Sequence, residues 1–309
     1  MISPLYPPPL QKGDTIGVIA PAGQLHDKTC FMQGVQILHE MGFKVKFPRD
    51  LWPGLEYLAD SDDNRGYEFN SLFRDGEVKG LISLRGGYGC LRMLEKIDIA
   101  AVAGNPKILV GFSDITVLQN YLYTQTGLVS FHGPVVTSLS NATRDTLRSL
   151  HSCLTGVNIQ QYRIDSKHIE ILRDGPDVAA PLIGGNLASL VTLLGTQYDF
   201  SWDDKIVFLE DINEPVYRID RMLTQLKLAG KLDKIAGLIL GDFSTSASRN
   251  ETEKLRYQES VWQRALELCP SHALPVWGNF PSGHCSCNLT FPLGAMAEMK
   301  RGEKRLRFQ

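Results

Sequence analysis

From residue 15 onward, short apolar runs alternate with amphipathic stretches, and this rhythm constrains the fold more than any other feature of the chain. The run 15–20 (TIGVIA) predicts a buried strand ending in the loop Pro21-Ala22-Gly23, and 28–41 predicts a helix closed by Gly42. A second strand is expected at 43–47, a polar helix around 64–73, a strand at 80–84 (GLISL), a helix from about Cys90, and a strand opening at Lys107. Strand, helix and strand at this spacing argue for an α/β fold with a parallel sheet and helices on its faces. Ligands of such sheets sit beyond the carboxyl ends of the strands.

Between 141 and 177 the periodicity weakens, with Asp174-Gly175-Pro176-Asp177 as turn punctuation. The expected division is an amino-terminal domain 1–150, a linker 151–178 and a carboxy-terminal domain 179–309. In the latter, Pro181-Leu182-Ile183-Gly184-Gly185-Asn186 leads into an apolar helix to Leu194, 205–209 (KIVFL) is a strand, 216–228 an amphipathic helix and 235–240 another strand. A helix at 259–268 and strands at 276–280, 295–299 and 305–308 complete the pattern.

A chain of 309 residues suits one large or two ordinary domains, and 43% hydrophobic with 21% charged residues suits a globular protein with a full core. The net charge of -2 gives no electrostatic case for nucleic acid or an anionic membrane. Small soluble ligands are the expectation. The first residues, MISPLYPPPLQKGD, place three prolines where a signal peptide needs an apolar core, and no stretch approaches the roughly 18 apolar residues of a membrane span, so a cytoplasmic location is expected. Six cysteines are scattered except for Cys285 and Cys287 after His284, too few ligands for a structural zinc site; no metal is expected.

Chemistry enters at KILVGFSDITVLQNYL (107–122), where an apolar run stops at Gly111 and Ser113 opens a helical segment. Ser113 is either a helix cap or a nucleophile on a strand-to-helix elbow, although Ile115 stands where the usual G-x-S-x-G elbow has its second glycine. The loop Arg85-Gly86-Gly87-Tyr88-Gly89 follows a strand, a context in which bare N–H groups can face an anion or an oxyanion. It is not a dinucleotide fingerprint, and no P-loop pattern occurs. A serine needs a base, and the base an acceptor. His39, His151 and His168 read as surface or satisfied residues, whereas His132 and His284 lie in glycine-flanked loops, with His284 modestly preferred. For the acid, Glu210 comes first off the strand 205–209, ahead of Asn213 and Glu214, which can cap the next helix.

The motifs Ala20-Pro21-Ala22, LRGGYG (84–89), GFSDIT (111–116), FHGP (131–134), IGGNL (183–187), LEDINEPVYRIDRML (209–223) and SGHCSCNLTFPLG (282–294) occur in order over nearly the whole chain. This set resembles the LD-carboxypeptidase family of serine peptidases, which includes muropeptide LD-carboxypeptidases and microcin C self-immunity peptidases. The resemblance implies a flavodoxin-like amino-terminal domain, a smaller mixed α/β carboxy-terminal domain, and an active site in the cleft between them. It further implies Ser113 as nucleophile, His284 as general base and Glu210 as the residue that orients it, with the N–H groups of Gly87 and Asp114 as oxyanion hole. Asp114 is thus expected to act through its main chain. No cofactor is implied. The expected state is a homodimer acting on a small peptide, with neither nucleic acid nor membrane as partner.

The function so implied is removal of the terminal D-alanine from tetrapeptides of cell-wall turnover. The alternative is a microcin C-type peptidase cleaving peptidyl or aminoacyl nucleotides, which wants an aromatic platform; Phe208 and Tyr217 flank Glu210, but Asp211 follows it. A non-catalytic binding protein is disfavoured because all three triad positions are filled, and an α/β-hydrolase esterase because no His-Gly-Gly motif precedes the serine. Arg85 is a candidate for the substrate's terminal carboxylate.

Overall fold

The computed structural model describes residues 3–156, 163–165, 168–248, 250–269 and 271–309. It forms two compact units, Met1–Val157 with Leu289–Gly294, and Asn158–Asn288 with Ala295–Gln309. Among the described residues no helix is long and apolar enough to cross a membrane.

Along the first unit run β1 (Thr15–Ile19), α1 (Lys28–Glu40), β2 (Lys44–Lys46), α2 (Asp62–Arg74), β3 (Val78–Ser83), α3 (Cys90–Met93), α4 (Ile99–Gly104), β4 (Ile108–Gly111), α5 (Ile115–Thr126), β5 (Ser130–His132) and α6 (Arg144–Thr155). The second contains β6 (Arg163–Asp165), β7 (Glu170–Arg173), β8 (Val178–Asn186), α7 (Leu187–Val191), β9 (Ile206–Ile212), α8 (Val216–Leu228), β10 (Gly237–Ser244), α9 (Glu251–Leu268) and β11 (Val276–Gly278). The chain then returns to the first unit for β12 (Phe291–Leu293) and closes the second with β13 (Met296–Met299) and β14 (Arg305–Phe308).

The first sheet has the order β12-β5-β4-β3-β1-β2, parallel throughout except that β12 runs antiparallel to β5. Without β12 this is the flavodoxin order 2-1-3-4-5. Parallel neighbours need a crossover between them, and helices placed on the faces bury both sides of the inner strands. Hence β4 is buried at every position, and α1 turns only the stripe Phe31, Gly34, Val35 and Leu38 inward.

The second sheet has the order β6-β14-β13-β8-β9-β10-β11-β7. Its centre, β8 to β11, is parallel, whereas β7, β13, β14 and β6 are added antiparallel. Helix α8 buries Ile219, Leu223 and Leu226, spaced four and three residues apart on one face. Each such aliphatic side chain contributes about 1.5–3 kcal/mol by leaving water.

Several expectations need revision. The segment 151–178 contains the end of α6 and two strands, β6 and β7, of the second sheet, and 289–294 belongs to the first unit. The weak periodicity there has a physical cause: β7 has no fully buried residue, and α6 buries only Thr146, Leu150, Cys153 and Leu154. Helix α9 starts eight residues earlier than its apolar period, because Asn250 caps it and its first turn carries exposed Glu251 and half-buried Glu253.

Candidate active site

Ser113 lies between β4 and α5 with φ at +64°, in the left-handed region. For a residue with a Cβ this costs about 1–2 kcal/mol, and such strain clusters at functional turns. Capping does not explain it: Asp114 holds the cap position of α5, and no side chain caps that helix. Ile115 takes the place of the second elbow glycine because Gly111 leaves room for it; a Cβ on Gly111 would lie 2.7 Å from Ile115 Cγ2.

Three loops at the carboxyl ends of β1, β3 and β4 meet around this serine. A Cβ on Gly86 would stand 2.7 Å from Ser113 Cβ and 2.8 Å from its Oγ, so only a bare backbone can lie there. Gly23 N–H donates to the Gly86 carbonyl at 3.2 Å, fixing the first loop to the second. Gly87 is left-handed (φ +121°) and exposed. Among the described residues, neither the Gly87 nor the Asp114 N–H donates to a backbone carbonyl. Arg85, half-buried beside them, donates from Nη1 to the Gln24 carbonyl at 3.1 Å and has no carboxylate partner among the described residues. The Asp114 side chain, for which the sequence suggested no task, is buried and accepts from Cys90 N–H at 2.8 Å.

In the second unit Glu210 and His284 form a pair, with His284 Nδ1 2.7 Å from Glu210 Oε2. Glu210 was expected just after a strand; it lies inside β9, completely buried, because the strand continues to Ile212. Gly283 (φ +124°) makes the approach possible, since a Cβ there would lie 2.9 Å from Glu210 Oε2. Asn288 Oδ1 accepts from Ser282 Oγ at 2.8 Å and from Gly283 N–H at 3.1 Å, pinning the histidine loop. Burial alone would lower the His284 pKa, but the charge and hydrogen bond of Glu210, helped by Asp211 and Asp242, raise it above the ordinary value. With Nδ1 donating to Glu210, Nε2 carries the basic lone pair.

The neighbouring acids have other tasks. Asp211 accepts from Ala188 N–H and Ile212 N–H, each at 2.8 Å, and burial together with the Glu210 charge pushes its pKa up to about 7. Glu214 faces Arg218 at 3.5 Å. His132 is a core residue of β5 rather than a loop residue, stacked on Phe291 at 5.0 Å. Phe208 is likewise core, packed edge-on against Phe280, so of the two aromatics considered as a platform only Tyr217 is exposed. Cys285 donates to the Cys287 carbonyl at 3.3 Å, and burial pushes its thiol up to about 12, away from reactive thiolate.

Residues 16–133 match the LD-carboxypeptidase N-terminal domain, and residues 179–299 match the LD-carboxypeptidase C-terminal domain. The chain is 36% identical over 306 residues to a probable murein peptide carboxypeptidase of Bacillus subtilis (strain 168), covering 96% of this chain and 92% of that protein. The chain belongs to the LD-carboxypeptidase family. Among solved structures of similar fold is that of muramoyltetrapeptide carboxypeptidase from Oxalobacter formigenes, with a TM-score of 0.76, 29% identity, and coverage of 95% of this chain and 97% of that one. Another is MccF in complex with glutamyl sulfamoyl guanosine, with a TM-score of 0.87, 25% identity, and coverage of 99% and 98%. This LD-carboxypeptidase-family chain is accordingly a hydrolase of the carboxypeptidase class.

Proposed function

We propose that the protein is a serine LD-carboxypeptidase that hydrolyses the L,D peptide bond to the terminal D-alanine of muropeptide tetrapeptides. Ser113 Oγ attacks the scissile carbonyl and His284 Nε2 takes its proton. Glu210 holds the ring in the tautomer this requires and stabilises the imidazolium. The N–H groups of Gly87 and Asp114 receive the developing oxyanion, and His284 returns its proton to the departing amine; water then repeats the sequence on the acyl-enzyme. Arg85 receives the terminal carboxylate of the substrate. The observation that carries this reading is the Glu210–His284 pair at 2.7 Å, its carboxylate completely buried, supported by the strained backbone of Ser113. The family resemblance supports a cytoplasmic homodimer in peptidoglycan recycling, working without a metal or other cofactor.

The test is D-alanine release from the tetrapeptide by wild type and Ser113→Ala. Loss of several orders of magnitude in kcat is expected, and retention of more than a tenth would end the serine reading. A second reading, cleavage of peptidyl or aminoacyl nucleotides, is favoured by the similarity to the MccF complex. Comparing kcat/KM for the tetrapeptide, its L-alanine epimer, the pentapeptide and an aminoacyl adenylate separates the two. The first reading expects at least a roughly 10²-fold preference for the tetrapeptide, because a displaced scissile carbonyl loses that much.

A further inference from the structure

Arg65, on the polar helix α2, is only 2% exposed, which for an arginine demands an explanation. Its guanidinium reaches several loops at once. It donates to the carbonyls of Asp60 at 3.1 Å, of Gly89 at 3.0 Å and of Pro21, and it pairs with Asp62. Gly89 permits this approach, for it is left-handed (φ +145°) and a Cβ there would lie 2.8 Å from Arg65 Nη1. On the other side of the same peptide group, Cys90 N–H donates to Asp114 Oδ2 at 2.8 Å. The Gly89–Cys90 peptide is therefore held at its carbonyl by a cation and at its N–H by an anion, each from a different element.

We infer that Arg65 and Asp114 are positioning residues for the oxyanion hole, clamping the Gly89–Cys90 peptide so that the loop from Arg85 to Gly89 presents the Gly87 N–H beside Ser113. This rests on the proposed roles of Ser113, Gly87 and Asp114. The physical need is clear: a loop with glycines at 86, 87 and 89 has wide backbone freedom, and an oxyanion donor is useful only if fixed before charge develops. Charge-assisted hydrogen bonds at both ends of one peptide resist its rotation. Asp114 does double duty. Its own N–H is one proposed donor, and its carboxylate ties down the loop that carries the other, so one residue couples the two donors.

The experiment compares Arg65→Lys, Arg65→Met, Asp114→Ala and Asp114→Asn in the full-length enzyme. It measures kcat and KM for the tetrapeptide, and affinities for a peptide boronate that forms a tetrahedral adduct and for the tripeptide product. Misplacement of a donor is expected to lower kcat about 10²-fold in Arg65→Met and Asp114→Ala, with KM within threefold. Boronate affinity should fall in parallel while product affinity holds. Lysine keeps the charge but not the fork, so Arg65→Lys should remain impaired. Asparagine keeps an acceptor for Cys90 N–H in the same shape, so Asp114→Asn should fold and recover at least tenfold over Asp114→Ala. Equal loss of boronate and product affinity, or kcat within threefold of wild type in Asp114→Ala, would overturn the clamp, as would failure of Asp114→Asn to exceed Asp114→Ala where the latter folds. Should Arg65→Met and Asp114→Ala not fold, Arg65→Lys with unimpaired kcat and boronate binding would overturn it equally. An active Ser113→Ala would instead remove the nucleophile reading beneath it.

Discussion

Replacing Glu210 by glutamine separates the proposed orienting acid from the fold it sits in. The carboxylate is fully buried, bonded through Oε2 to His284 Nδ1 at 2.7 Å, and its Oε1 has no hydrogen-bond partner among the described residues. Glutamine fills the same space without charge, and its amide can donate to Nδ1, which would move the ring proton to Nε2 and destroy the base. In a serine protease the corresponding change lowers kcat about 10⁴-fold, or about 5 kcal/mol of barrier, and a loss of roughly 10³–10⁴ is expected here. The pH profile gives an independent readout. A general base works when neutral, so activity rises with pH through the His284 pKa, and because that pKa lies above its ordinary 6.5, the wild-type half-point should too. Without the Glu210 charge, desolvation is left as the main influence and the half-point moves to lower pH. Stability has the matching sign. A histidine pKa raised by folding contributes stability that is full below the unfolded value and lost as pH rises through the folded value. The variant should therefore lose Tm relative to wild type at pH 5.5 and match or exceed it at pH 9. The assay is D-alanine release between pH 5 and 9 with melting curves at both ends. A plateau kcat within tenfold of wild type, or an acid limb that stays in place, would refute the reasoning; Glu214→Gln, within threefold of wild type, is the control.

Gly86→Ala puts a methyl group 2.7 Å from Ser113 Cβ, so one of the two must move; a fall in kcat of about 10²-fold with unchanged circular dichroism is expected, and normal turnover would show that Ser113 is not bound to this geometry. Arg85→Ala should raise KM about 10- to 100-fold, the worth of a charge-assisted hydrogen bond. It should also abolish discrimination between the tetrapeptide and its C-terminal amide; if discrimination survives, another group binds the carboxylate. Prolonged incubation with EDTA should leave kcat unchanged, because in the proposed mechanism serine, imidazole and N–H donors supply nucleophile, base and electrophile; loss restored by zinc would return attention to His284, Cys285 and Cys287.

The inner strands and the helix at Val216–Leu228 were legible because burial on both faces, or on one stripe, writes itself into apolar runs and spacing. Glu210 and Asp211 were not legible as strand residues, since a buried carboxylate inside β9 looks, in a single sequence, like the polar end of the strand. His132 misled for the opposite reason: glycine and proline after it suggest a loop, while its ring is stacked in the core. The clamp residues were hidden as well. Arg65 stands among Asp62, Asp63 and Asn64 and reads as part of a solvated face, and nothing in its spacing reveals the carbonyl partners it finds in two distant loops, at Pro21 and Gly89. Gly283 was one signal for the histidine loop, beside the expected strand 276–280 before it, and the need for this glycine becomes clear only when Glu210 Oε2 is seen 2.9 Å from where its Cβ would be.

Both units follow one physical rule. In the first, Gly23, Gly86 and Ser113 lie in the loops beyond the carboxyl ends of parallel β1, β3 and β4; in the second, Glu210 and Asp242 lie inside β9 and β10 near their carboxyl ends, and His284 lies in the loop beyond β11, again in a parallel array. At these ends the ladder hydrogen bonds run out and the chain must turn, so backbone N–H groups, glycines and strained angles collect there without weakening the sheet behind them. The positive φ of Ser113 is tolerable for this reason: β4 behind it is buried at every position, and α5 ahead of it buries eight of its residues. Strain of about 1–2 kcal/mol is small beside the burial that holds both flanks. A relaxed serine at this turn would gain that energy but would no longer hold Oγ against Gly86, and the same argument applies to Gly283, whose left-handed angle brings His284 onto a carboxylate that the sheet has already buried.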